Sequence, residues 1–82
     1  MEDTKLRLKE MLVRRLKLNM IPADIKDEMP LFDGGLSLDS IDALEIVVGL
    51  QKEFGAVITD KAQAEKILVS VDTMAEFLAS RA

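Results

Sequence analysis

The chain has 82 residues, a length that fits one domain over residues 1–82 with a thin core, since a fold of this size hides only about 60% of its unfolded surface. Apolar residues make up 49% and charged residues 32%, which is enough for a compact and soluble fold. Cysteine and histidine are both absent. That excludes disulfides, thiolate metal sites, the commonest general base and any Ser-His or Cys-His nucleophile pair. With 4% aromatics a walled catalytic pocket is hard to build, so the chain is expected not to be an enzyme.

No apolar run approaches the roughly 18 residues of a membrane span. The opening MEDTKLRLKE lacks a basic-then-apolar signal pattern, so the cytoplasm is the expected compartment. The formal net charge of −4 is unevenly spread. Residues 1–20 carry six basic and three acidic groups, residues 21–60 carry two and nine, and residues 61–82 carry three of each. The acidic middle would repel phosphates, which argues against nucleic acid, and would attract a partner with a basic patch. It also predicts a segment that repels itself at neutral pH.

In chain order, Thr4 can cap a first helix running to about residue 18. Leu8, Met11, Leu12 and Leu16 recur at helical spacing, and Arg7, Lys9, Glu10, Arg14 and Lys17 fill the other side. Pro22 breaks the pattern. A long loop follows through Pro30 and the Gly34-Gly35 pair, with Ile21, Ile25, Leu31 and Phe32 as anchors on the core. A second helix is predicted over 40–54, closed by Gly55. Its core stripe is Ala43, Ile46, Val47, Leu50 and Phe54, with Asp42, Glu45, Gly49 and Lys52 on the opposite stripe. Ile41, Leu44 and Val48 make the apolar arc wider than one core needs. Val57-Ile58 reads as an extended segment packing inward. Thr59 or Asp60 starts a short third helix near 62–67. Ser70 caps a fourth, with Val71, Met74, Phe77 and Leu78 facing inward. The sum is an all-α fold, a small four-helix bundle of three longer helices and one short one.

The start of the second helix holds more capping side chains than it needs. Ser37, Asp39 and Ser40 are all candidates. With Asp39 as the cap, Asp42 occupies the third position, where the helix dipole favours an acid. That register leaves Ser40 at the first helical position, with its hydroxyl not needed for capping and several unpaired backbone N–H groups expected beside it, a setting that suits a phosphate. On its own this is also compatible with a plain surface serine. A calcium loop from Asp33 fails because Leu38 and Leu44 stand where Gly and Glu are required. A phosphate-binding loop of the G-x-x-x-x-G-K-[ST] type is absent. A nucleophile elbow around Ser37 lacks its second glycine and any histidine.

The stretch Leu36-Ser37-Leu38-Asp39-Ser40-Ile41-Asp42-Ala43-Leu44-Glu45 resembles the modification site of acyl carrier proteins, with Ile41 in place of the leucine usual in their Asp-Ser-Leu motif. Phe32, Ile46, Val47, Leu50, Glu53, Phe54, Ile58, Asp60, the run from Ala64 to Ile67, and Val71 extend the likeness over nearly the whole chain. The resemblance implies an acyl-carrier-like fold that acts as a monomer. It places a covalent 4′-phosphopantetheine arm on Ser40, transferred from coenzyme A by a phosphopantetheinyl transferase (a holo-acyl-carrier-protein synthase). Acyl chains ride on the arm as thioesters and shelter between the helices. Asp39, Ile41, Asp42, Glu45 and Val48 would dock ketosynthases, acyltransferases and related enzymes of fatty acid, specialised lipid or polyketide synthesis. A peptidyl or D-alanyl carrier would share the fold and the serine, and an unmodified helical adaptor for one basic partner would share the acidic helix. The chain departs from the family pattern in having Ser37 where glycine is usual, Gln51 and Lys52 in place of acids, Lys61 in an otherwise acidic run, and a strongly basic first helix.

Overall fold

Leu8, Met11 and Leu12 line the fully buried face of the first helix, α1 (Glu2–Leu16), as the three- and four-residue spacing of apolar side chains dictates. The computed structural model describes residues 2–32 and 38–81, with no strand among them. Helix α1 starts before Thr4, so Thr4 is not its cap, and the acidic Asp3 occupies the first turn, where the helix dipole favours it. The helix ends at Leu16, short of the expected residue 18 and well before Pro22. Lys17 adopts a left-handed backbone with φ of 52°, and the Leu18 N–H donates to the Val13 carbonyl at 3.1 Å, the six-to-one closure usual at helix ends. Glycine is the residue suited to that conformation, so Lys17→Gly is expected to stabilise the fold by about 0.5–1 kcal/mol. A rise of a few degrees in a thermal melt followed by circular dichroism would register it.

The loop after α1 contains a 3-10 turn at Pro22–Asp24. Asp24 and Ile25 donate N–H bonds back to Ile21 and Pro22, which turns Ile25 into the core. Ile21, extended ahead of the turn, faces solvent and does not serve as the expected anchor. Leu31 is fully buried and Phe32 packs against the core. The Gly34-Gly35 pair, Leu36 and Ser37 lie outside the described residues.

Helix α2 (Ser40–Phe54) has the bounds the sequence predicts, and Gly55 closes it with φ of 68°. Its expected stripe lies in or against the core, and the interior extends beyond it to Gly49. Ile46, Gly49 and Leu50 are the buried residues, while Ala43 and Val47 are only partly covered. Gly49, read from the sequence as part of the outer stripe, faces α1. A Cβ at that position would stand 2.7 Å from Met11 Sδ and 2.8 Å from Arg15 Cδ. The missing side chain lets α1 lie close, and this rotates the buried stripe of α2 toward α1.

Beyond Gly55 the chain is extended. Ala56 is buried and Ile58 half-buried, but Val57 points to solvent, as successive side chains of an extended segment alternate. Helix α3 (Lys61–Ile67) is capped by Asp60, whose Oδ1 accepts the Ala62 N–H at 3.1 Å. Helix α4 (Val71–Arg81) begins with a reciprocal pair: the Thr73 N–H donates to Ser70 Oγ at 3.2 Å and the Ser70 N–H to Thr73 Oγ1 at 2.9 Å. Val71, Met74 and Ala75 are buried, and Phe77 and Leu78 pack beside them. Helix α1 packs on both α2 and α4, and α3 packs on α4. The result is an all-α four-helix bundle measuring 29 × 26 × 21 Å, with α3 the short helix.

The basic face of α1 is used inside the molecule. Lys9 pairs with Asp27 at 2.7 Å, and Lys5 pairs with Asp72 at 2.8 Å and Asp27 at 3.5 Å. Asp72 Oδ1 is buried, and this ammonium is its partner through charge rather than through a well-formed hydrogen bond. Arg15 binds Glu45 at 2.9 Å and Glu53 at 2.6 Å, and Arg14 also pairs with Glu53. Arg7 lies 4.5 Å over the Phe54 ring and donates to the Glu53 carbonyl at 3.1 Å, at the negative end of the α2 dipole. The self-repulsion expected of residues 21–60 is therefore offset by cations of α1 at Asp27, Glu45 and Glu53.

Two of these carboxyls titrate below their ordinary range. The Lys9 ammonium, joined by Lys5, holds Asp27 down, and the Arg14 and Arg15 guanidiniums hold Glu53 down. A carboxyl whose pKa is lower folded than unfolded adds stability above its unfolded value and loses it as pH falls through the folded one. The melting temperature should thus be flat from neutral pH to about 5, where no histidine titrates, and drop below about 4. Glu53→Gln and Asp27→Asn should lower the neutral plateau and make the acid drop shallower, as melts across a pH series would record.

Candidate functional site

Ser40 is placed by the chain on both sides of it. Before it, the buried Leu31 accepts the Leu38 N–H at 3.1 Å and donates its own N–H to the Val69 carbonyl at 2.9 Å, which ties this loop to the connection between α3 and α4. Asp39 is extended, with φ −111° and ψ −176°, and caps α2. Its Oδ1 accepts the N–H groups of Ile41 and Asp42, both at 3.0 Å, and Asp42 Oδ2 accepts the Asp39 N–H at 3.1 Å. This is the reciprocal capping arrangement predicted from the Asp39 register.

Ser40 accordingly sits at the first helical position and is exposed. No hydrogen bond among the described residues engages its hydroxyl. One expectation is corrected here. The free N–H groups expected at this helix start are largely consumed, because the Asp39 carboxylate takes those of Ile41 and Asp42 and the Ala43 N–H bonds the Asp39 carbonyl at 3.1 Å. What remains for chemistry is the serine oxygen rather than a nest of backbone donors.

An open groove of about 800 Å³ begins beside that serine. Ile41, Leu44 and Val47 of α2 form one wall, Ala64 and Leu68 another, and Phe32 and Ile58 come from the loops. Ser40, Thr59, Asp60, Lys61 and Glu65 supply the polar groups of its lining. The groove exists because α3 packs on α4 while α2 packs on α1, which leaves the flank of α2 that faces α3 thinly covered.

The other residues singled out in the sequence divide into two groups. Asp39, Ile41 and Asp42 surround Ser40, and Ile41 is 74% exposed. Val48 is 36% exposed, farther along the helix. Glu45 is turned toward α1 and held by Arg15. Leu44, noted in the sequence as part of the wide apolar arc but not among the docking residues, is 68% exposed and in the groove wall, three residues after Ile41. The sequence reading left out Arg15, whose role rests on partners 30 and 38 residues away and left no local signal.

A helical bundle that offers, beside an apolar groove, a hydroxyl unengaged among the described residues has the geometry to hold a tethered group. Comparison with known proteins gives the same class. A family model described as "Phosphopantetheine attachment site" matches residues 7–78. Acyl carrier protein 2, mitochondrial, of Arabidopsis thaliana is 45% identical over 49 residues, a stretch that covers 60% of this chain and only 37% of that protein. The chain belongs to the acyl carrier protein family, whose cofactor is covalently attached 4′-phosphopantetheine. Proteins of this family are carriers, not catalysts, and work with phosphopantetheinyl transferases and acyl-processing enzymes. Among the described residues no helix is long and apolar enough to cross a membrane.

Proposed function

We propose that Ser40 Oγ is the atom to which 4′-phosphopantetheine is joined, and that the protein carries acyl intermediates between enzymes of fatty acid, specialised lipid or polyketide synthesis. The observation that carries this reading is the exposed Ser40 hydroxyl, unengaged among the described residues, at the capped start of α2 and beside an apolar groove. The residues fit the group. Asp39 and Asp42 fix the backbone around Ser40 without using its hydroxyl. The groove has the volume and apolar lining to cover an acyl chain anchored at that point. When bound, the arm supplies a thiol that holds acyl groups as thioesters. Transfer from coenzyme A forms a phosphoester bond at Ser40 Oγ as the nucleotide portion of coenzyme A departs.

In this reading residues 1–82 act as one monomeric carrier domain in the cytoplasm and contribute no catalytic group. The transferase, ketosynthases and acyltransferases dock near Ser40. Asp39 and Asp42 steer basic patches, Ile41 and Val48 give apolar contact, and Glu45 lies at the edge of the surface. Complementary charge of this kind mainly speeds encounter and sets orientation, which suits brief visits to several enzymes. Nucleic acid has no place in it, because the charge exposed around Ser40 is negative.

Incubation with coenzyme A and a phosphopantetheinyl transferase should add one phosphopantetheine mass to the intact chain. Ser40→Ala should abolish the addition and Ser37→Ala should not. The opposite pattern would move the attachment to Ser37, and no addition to the wild type would leave an unmodified helical adaptor as the better account.

A further inference from the structure

On α2, Glu45, Gly49 and Glu53 follow one another at intervals of four and share a face. Arg15 of α1 spans that face. Its Nε is 2.6 Å from Glu53 Oε2, and its terminal nitrogen is 2.9 Å from Glu45 Oε1. Its stem runs over Gly49, where a Cβ would come within 2.8 Å of Cδ and 2.9 Å of Nε. The side chain is only 22% exposed, and the two carboxylates raise the guanidinium pKa. Arg14 adds a second cation at Glu53, and Lys52 is exposed nearby in the chain. From Glu45 onward α2 thus sets two acids against three cations, while the Ser40 end keeps Asp39 and Asp42, whose carboxylates cap the helix and have no cation partner among the described residues.

We infer that Arg15 is a specificity-determining residue: it masks Glu45 and Glu53 and confines electrostatic docking to the first turns of α2 around Ser40. The inference rests on the reading of α2 as the docking helix. A partner with a compact basic patch at its entrance is served by the Asp39–Asp42 end. A partner whose cations extend along the helix meets Glu45 already bonded and Arg15 in the way, so it is disfavoured without any clash of shape.

The test uses the full-length apo chain, coenzyme A and a phosphopantetheinyl transferase as the basic probe, with initial rates read by intact mass at low and moderate salt. Arg15→Met keeps an apolar stem over Gly49 and frees Glu45. Arg14→Met removes the same unit charge but leaves the Arg15–Glu45 bond. At low salt Arg15→Met should lower KM about two- to fivefold more than Arg14→Met, with kcat unchanged, and the difference should shrink as salt is added. Glu45→Gln should raise KM more in the Arg15→Met background than in the wild type. Equal effects of the two arginine variants, or an equal cost of Glu45→Gln in both backgrounds, would overturn the inference. Should Arg15→Met melt too low to assay, Arg15→Gln, which removes the same unit charge, takes its place in both comparisons. Asp42→Asn separates the two levels. If it raises KM at low salt while the arginine comparison is flat, docking through α2 stands and the masking does not. If it too has no effect, the docking reading falls and takes the masking with it.

Discussion

The close approach of α1 and α2 at Gly49 governs the rest of the molecule. A glycine inside a helix costs about 1 kcal/mol relative to alanine, and here the space it leaves is occupied by Met11 Sδ and the stem of Arg15. With α1 seated that low, Ile46 and Leu50 complete the core with Leu8, Met11 and Leu12. The buried stripe of α2 is thereby fixed on the α1 flank, and the opposite flank, with Ile41 and Leu44, is thinly covered. The groove beside Ser40 follows from the same contact: α2 is committed to α1, and α3 is committed to α4.

The charges follow from that geometry as well. A strongly basic helix against an acidic middle looks in the sequence like two surfaces of opposite sign, each available to a partner. Once α1 lies against α2 and the preceding loop, much of this charge is spent inside the fold: Lys5 and Lys9 on Asp27 and Asp72, Arg14 and Arg15 on Glu45 and Glu53. Partly exposed pairs of this kind contribute modestly one by one. Their larger effect is to set where uncancelled charge remains, and on α2 it remains at the first turn, in Asp39 and Asp42.

What the sequence revealed was mostly local. The bounds of α2, its Asp39 cap and its Gly55 closure depend on residues within four positions of each other, and they can be read from side-chain chemistry. The caps of α3 and α4 are of the same kind. The end of α1 was hidden because Lys17 takes a conformation that its side chain does not favour, so no glycine marked the spot. Ile21 and Val57 were misjudged because apolarity alone does not say which way an extended residue points. The pairing of Arg15 with Glu45 and Glu53, and the groove whose walls come from α2 and from the separate stretch around α3, depend on tertiary placement, and no short window of sequence contains them. Gly49 faces α1 although it stands opposite the stripe of Ala43, Ile46, Val47, Leu50 and Phe54, all of which lie in the core or pack against it, so the covered arc of α2 is wider than that stripe.

Capping the first turn of α2 falls to Asp39 and Asp42 and leaves Ser40 between them without that task. A helix start buries its strain by satisfying backbone donors, and the residue that does so is no longer free for other chemistry. Asp39 and Asp42 perform that task together, each accepting from the other's backbone. Had Ser40 been the cap, its oxygen would have been turned back onto the helix, and any group joined to it would have cost the helix its cap. Placing the cap one residue earlier leaves the serine oxygen exposed while the backbone beneath it stays fixed. The two acids that hold the turn are also the uncancelled charges that a basic partner would meet. In the proposed function, local stability and recognition rest on the same pair of carboxylates, and the hydroxyl between them is left to chemistry.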